Sequence, residues 1–196
     1  NYENRYWLAR ALEAAGNEAQ LKAARQEYDM VVEQVVKDTD LGSKLCDVFI
    51  RRAKMEMKAI AEWQSAIDDL TRYTRCAPKN AEAYFLRGEL HEKMGALDPA
   101  IKDFSKATKL NPKLGEAFAA NAYAKLRQPK SSEREVQTLL QKAISASPNL
   151  AMPHYTLCTM LKERSTQVAK RHCRDYLQKA PQGEYAGEVK ELLRNL

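Results

Sequence analysis

Glycine is scarce in this 196-residue chain, at seven, and runs of alternating Val, Ile and Thr are few, which argues against a sheet. No apolar stretch approaches the roughly 20 residues that a membrane-crossing helix needs. Missing too are a nucleophile elbow, a phosphate-cradling glycine loop, a metalloprotease helix and a dinucleotide fingerprint. Paired carboxylates such as Asp68-Asp69 fall inside a helical pattern, so no catalytic residue and no cofactor are expected. The first residue is Asn rather than Met, and nothing near it resembles a signal peptide, so the sequence reads as processed or trimmed with any targeting segment out of sight. Charge is also modest: a net +6 favours encounter with acidic partners without marking a nucleic-acid binder.

What is present is helical punctuation at a fixed spacing. From Gly95 to Pro112 the chain reads GALDPAIKDFSKATKLNP. Gly95 suits the left-handed residue that ends a helix, Asp98 suits an N-cap, Pro99 suits the first helical position, and Pro112 blocks continuation. A shift of 34 residues lays Ala66-Ile67-Asp68-Asp69-Leu70 on Ala100-Ile101-Lys102-Asp103-Phe104 and Pro78 on Pro112. Pro148 and Pro181 continue the series. Before each such helix lies another, with an aromatic three residues ahead of a two-residue pair: Trp7 with Arg10-Ala11, Phe49 with Arg52-Ala53, Tyr84 with Arg87-Gly88 and Phe118 with Asn121-Ala122. His154 with Leu157-Cys158 is the weakest copy. Each unit is therefore a helical hairpin. The small residues Ala11, Ala53, Gly88, Ala122 and Cys158 are expected to face Ala24, Ala66, Ala100, Val136 and Ala169. One hairpin cannot bury its apolar face alone, so neighbours must stack.

This pattern resembles the tetratricopeptide repeat family. Residues 81–114 carry its marker residues Tyr84, Gly88, Ala100, Phe104, Ala107 and Pro112, and 46–80 form a good second copy. Residues 115–149 and 150–181 are degenerate copies, the former with Ser132 and Glu135 placed for a capping box. Residues 1–45 form a divergent first copy whose second helix runs about Asn17 to Asp38. In 182–196, Tyr185, Val189, Leu192, Leu193 and Leu196 share one helical stripe, which reads as a capping helix or a partner-docking one. The fold class expected is all-α, a right-handed superhelical solenoid of antiparallel hairpins forming a single domain.

Three first helices carry an arginine where apolar residues are commoner, and the second helices of the same hairpins carry an acid: Arg10 with Glu27, Arg52 with Asp69, Arg87 with Asp103. A lone buried guanidinium is costly, so Arg52–Asp69 and Arg87–Asp103 are expected to be structural ion pairs. Cys46 with Cys76, and Cys158 with Cys173, sit at matching points of their hairpins; they are either two disulfides or four reduced packing residues. His154, Cys158, His172 and Cys173 are metal-ligand types, but adjacent helical residues point about 100° apart, so no metal site is expected.

The resemblance implies that first helices line a concave groove. Its positions would be Ile50, Lys54 and Met57, then Phe85, Glu89 and Glu92, then Ala119, Tyr123 and Leu126, then Tyr155, Thr159 and Lys162. Phe85, Tyr123 and Tyr155 would give an aromatic strip suited to anchoring a peptide. Some family members grip the acidic C-terminal tails of chaperones with a Lys/Asn/Arg clamp, but those positions read Ile50, Lys54, Leu86, Glu116 and Ala120, so that partner is not expected. Groove acids also speak against nucleic acid, and the basic run Arg51, Arg52, Lys54 and Lys58 reads as a solvated face. The implied function is a non-catalytic scaffold or adaptor that binds a peptide or partner protein in the groove. Two alternatives are a bacterial cell-envelope assembly factor using convex or end surfaces, and an RNA-associated repeat protein. The ending APQGEYAGEVKELL is similar to bacterial members of the family. Reduced cysteines fit the cytoplasm; oxidised ones fit the periplasm or envelope.

Overall fold

The computed structural model describes residues 1–57, 62–129 and 131–196, and among these there are twelve α-helices and no strand. The chain divides into two compact units, Asn1–Met94 and Gly95–Leu196.

The first unit holds α1 (Tyr2–Ala15), α2 (Glu18–Val35), α3 (Thr39–Lys44), α4 (Asp47–Glu56), α5 (Trp63–Cys76) and α6 (Ala81–Lys93). Its turns follow from side-chain chemistry. Asn1 accepts from the Glu3 amide to cap α1, Gly16 ends that helix at φ 77°, and Asn17 accepts from the Gln20 amide to start α2. Asn80 does the same for α6 through the Ala83 amide. The pairs α1/α2 and α4/α5 are antiparallel: Arg5 near the start of α1 meets Glu27 in the second half of α2 at 2.8 Å, and a Cys46–Cys76 disulfide joins the residue before α4 to the end of α5. Tyr6, Ala9, Tyr28, Val31, Phe49, Ala53, Ala66 and Leu70 build the core.

Two details differ from the expected pattern. The long second helix ends at Val35, and α3 follows as a separate element. On α1 it is Tyr6 and Ala9 that turn inward, while Trp7 is 57% exposed and Ala11 is exposed. The buried positions of the first copy are thus Tyr6 and Ala9 instead of Trp7 and Ala11, and among the described residues Arg10 meets no hairpin acid. Its guanidinium lies 5.0 Å from the Trp7 ring centroid instead, and Glu27 pairs with Arg5.

The second unit holds α7 (Leu97–Leu110), α8 (Gly115–Leu126), α9 (Glu133–Ala146), α10 (Met152–Leu161), α11 (Thr166–Lys179) and α12 (Ala186–Asn195). Lys125 at the end of α8 meets Glu135 at the start of α9 at 3.0 Å, which marks that pair as antiparallel. Ala122, Val136, Leu140, Leu157 and Ala169 form one cluster. Val189 and Ala186 of α12 join Cys158, Cys173 and Tyr176 in another, with Leu192, Leu193, Leu196 and Tyr185 packed on it, so α12 covers the open side of α10 and α11. Gly95 is left-handed, at φ 78°. Helix α7 nevertheless begins at Leu97, two residues before the expected start. Pro99 still falls in the first turn, where amides lack partners, and Asp98 accepts from Gln128 Nε2 rather than capping. Ser132 makes no side-chain cap bond, so the capping box does not form.

Helices α5, α7, α9 and α11 all end the same way. The amides of Ala77, Asn111, Ser147 and Ala180 each donate to the carbonyl four residues back at 2.8 Å, and a proline follows each. Gly115, first residue of α8, is pressed against the last of these turns but one: a Cβ there would sit 2.5 Å from the Ser147 side chain and 2.7 Å from the Ala143 carbonyl oxygen. Gly115→Ala is therefore expected to lower stability by about 1–3 kcal/mol, read from the denaturant midpoint.

Candidate functional site

In the second unit, α7, α8 and α9 enclose a cleft of about 830 Å³. The 34-residue register explains why it is there. In the first unit Arg87 reaches back from α6 to α5, where its Nη1 donates to Thr71 Oγ1 at 3.0 Å and Thr74 Oγ1 at 3.2 Å. The positions 34 residues on hold Asn121, Ser105 and Thr108. Thr74 and Thr108 donate in the same manner to the carbonyls of Thr71 and Ser105, both at 3.0 Å. Asn121 Nδ2 meets Ser105 Oγ at 3.0 Å, but its amide is too short to fill an arginine's volume. Its Oδ1 is buried with no partner among the described residues.

The cleft thus combines one buried acceptor with an apolar wall of Pro112, Phe118 and Leu139. Lys109, Lys113 and Lys142 are exposed around it, with the Lys142 ammonium 6.0 Å from the Phe118 ring centroid. Glu135, the one acid among the lining residues, is already paired with Lys125. The field at the cleft mouth is positive.

The expected groove positions have varied surroundings. Ile50 is buried, Met57 packs on the first unit's core, and Lys54 Nζ pairs with Glu82 at 2.7 Å. Phe85, Glu89 and Glu92 are half-buried, and burial holds the Glu89 carboxyl above its ordinary range. In the second unit Leu126 is 43% exposed and Tyr123 is half-buried, its phenol pushed up to about 12 by burial, a shift that Thr156 opposes. Tyr155 is committed to the chain's own C-terminal segment: its ring stacks on Tyr185 at 4.2 Å and its hydroxyl donates to Glu188 at 3.1 Å. Thr159 lines a small cleft with Glu188 and Leu192. Lys58 lies outside the described residues.

Arg52 is the centre of a charged cluster in the first unit. It donates to both oxygens of Asp69 at 2.7 and 2.8 Å and to Asp29 at 3.1 Å, and lies 3.7 Å from Glu56. Asp69 and Glu56 are almost wholly buried, at 0% and 2% exposure, and burial pushes both carboxyls up while Arg52 opposes the shift. Arg87 and Asp103 belong to different units, and their pairing stays an expectation. On α10 and α11 the four metal-ligand residue types resolve into two pairs. Cys158 and Cys173 form a disulfide, while His154 Nδ1 lies 3.1 Å from His172 Nδ1. His172 and Cys173 do diverge, but each meets a different residue of α10. Burial lowers the pKa of both imidazoles, which favours their neutral forms.

Residues 81–114 match the family model described as tetratricopeptide repeat. The chain carries a tetratricopeptide repeat at that stretch. Its fold is that of YrrB, described as a tetratricopeptide protein with an unusual peptide-binding site: the TM-score is 0.75 at 15% identity, over 97% of this chain and 92% of that one. The MamA protein is similar at a TM-score of 0.73 and 16% identity, over 92% of each chain. In sequence the chain is 28% identical over 128 residues to a DnaJ homolog subfamily C member 7 homolog of Dictyostelium discoideum, a match that covers 64% of this chain and only 23% of that relative. Proteins of tetratricopeptide fold bind protein or peptide partners. This chain has no helix among its described residues long and apolar enough to cross a membrane. Within the tetratricopeptide frame, the contact that sequence reasoning missed is the backward reach of positions 87 and 121. Its signal was present as the small hydroxyl residues Thr71 and Ser105, then Thr74 and Thr108, in the same register.

Proposed function

We propose that this tetratricopeptide protein is a non-catalytic scaffold that holds an acidic segment of a partner protein in the cleft between α7, α8 and α9. The observation that supports this reading is the pairing of an unpartnered buried acceptor, Asn121 Oδ1, with three lysines around an open apolar-walled cleft. An extended peptide carries both complements, a backbone N–H for the amide oxygen and carboxylates for the ammonium groups. YrrB's described peptide-binding site belongs to the same fold. The first-helix surface is the second reading, favoured by the exposed Leu126 beside Tyr123.

Fluorescence anisotropy with a labelled Glu/Asp-rich peptide separates the two. Lys109→Glu/Lys142→Glu is expected to weaken binding by about tenfold or more, with a steep loss as salt rises. Tyr123→Ala/Leu126→Ala is expected to leave it unchanged. The opposite outcome moves the site to the first-helix surface, and no binding to either acidic or basic peptide rejects the cleft.

A further inference from the structure

We infer that His154, His172 and Asp175 form a binding site for one zinc-class divalent cation. The three side chains come from two helices, His154 from α10 and the other two from one turn of α11. His154 Nδ1 lies 3.1 Å from His172 Nδ1 and 3.4 Å from Asp175 Oδ2, and all three donor atoms fall within 4.8 Å of one another. Zinc binds nitrogen and oxygen ligands at about 2.0–2.2 Å, which sets tetrahedral ligand atoms about 3.3–3.5 Å apart. His154 Nδ1 and Asp175 Oδ2 stand at that spacing, and the two imidazole nitrogens, now in hydrogen-bond contact, need to part by only a few tenths of an ångström.

The three side chains place their nitrogen and oxygen atoms around one small volume. Without an ion, one N–H bridges the two Nδ1 atoms, donated from either ring, and the partly exposed Asp175 turns to solvent. A cation serves all three at once; it places the His154 proton on Nε2, which is buried with no partner among the described residues, a cost that lowers affinity. The imidazoles are buried, at 5% and 7% exposure, while the Asp175 side chain is 32% exposed, which leaves an approach for the ion and a water for the fourth position. The cysteines are not ligands. Cys158 lies one turn beyond His154 and Cys173 adjoins His172, so their disulfide holds the two helices, Cα to Cα, at 5.1 Å and sets the spacing of the donors. Arg171 and Lys179 flank Asp175 by one turn on either side and oppose the ion's charge, so affinity should fall below that of a closed four-ligand site.

The full chain with both disulfides intact, freed of metal with a chelator, would be titrated with zinc sulfate alone against a chromophoric competitor. One zinc per chain is expected. Asp175→Asn, at a partly exposed position, should weaken binding by about tenfold or more, and His172→Gln should abolish it. His91→Gln should change nothing, since His91 is the one remaining histidine of three. Cobalt in place of zinc should give the intense visible absorption of a tetrahedral centre. Should His172→Gln fail to fold, the Asp175→Asn titration and the cobalt spectrum decide. Absence of zinc binding by the folded chain overturns the inference, as does binding that Asp175→Asn leaves untouched.

Discussion

Arg52→Ala is expected to destabilise the first unit by about 3 kcal/mol, because it strips the nearer counter-charge from a fully buried carboxylate and leaves it only the longer contact to Arg72 at 3.4 Å. Asp69 is fully buried and receives two hydrogen bonds from this one guanidinium; Glu56, 2% exposed, lies 3.7 Å from the same cation, 3.9 Å from Arg25, and accepts from Ser65 at 2.9 Å. The loss should depend on pH. Burial raises both acids above the ordinary carboxylate range, so they hold protons more tightly folded than unfolded. The stability from such groups is fully present below their unfolded pKa values and lost as pH rises through the folded ones. Removing Arg52 raises the folded values further. The deficit of the variant should therefore be widest near neutral pH and narrow on acidification, measured by urea unfolding at two pH values. Arg52→Met with Asp69→Leu, which removes both charges, should recover most of the loss. A single alanine variant with wild-type stability at neutral pH would falsify the claim that this pair is structural.

Reduction of the two disulfides has the next largest expected effect. Cys158–Cys173 closes a sequence separation of 15 residues and Cys46–Cys76 one of 30. Loop-closure entropy gives about 3 kcal/mol for the shorter and about 3.5–4 kcal/mol for the longer. Thermal melts with and without a thiol reductant would show a drop in the wild type that Cys46→Ala/Cys76→Ala reduces by the larger share. Thiol titration of the unreduced, unfolded chain should find none free. If reductant leaves the melt unmoved while that titration finds four thiols, the cysteines are packing residues instead.

The hairpin punctuation was legible because it is local chemistry. The prolines at 78, 112, 148 and 181, and the glycine at 95, act within a turn of their own position. Small contact residues such as Ala53, Ala66, Ala100 and Ala122 were legible for the same reason, since their periodicity is a property of one helix. Register in the first copy was not, because Tyr6 and Trp7 are adjacent aromatics and only packing on Tyr28 and the rest of the core chooses between them. Asp98 and Ser132 carry capping side chains, yet Asp98 is drawn off by Gln128, thirty residues away. The histidine pair was missed on correct geometry: helical angles separate His172 from Cys173, but they say nothing about which residue of the neighbouring helix each one meets. Glu56 was hidden by its own surroundings, a charged residue in a charged run whose burial comes from α5 and Arg25.

Side-chain length at one repeat position has a consequence for how such arrays acquire partners. At 87 an arginine spans the junction between helices and answers the hydroxyls of Thr71 and Thr74; at 121 an asparagine spans half of it and leaves an amide oxygen unanswered. The turns ahead of both junctions are alike, Ala77 and Asn111 each donating four residues back at 2.8 Å. The choice of one residue at such a junction therefore decides whether its polar groups are all answered from within, as by Arg87, or one is left over, as on Asn121.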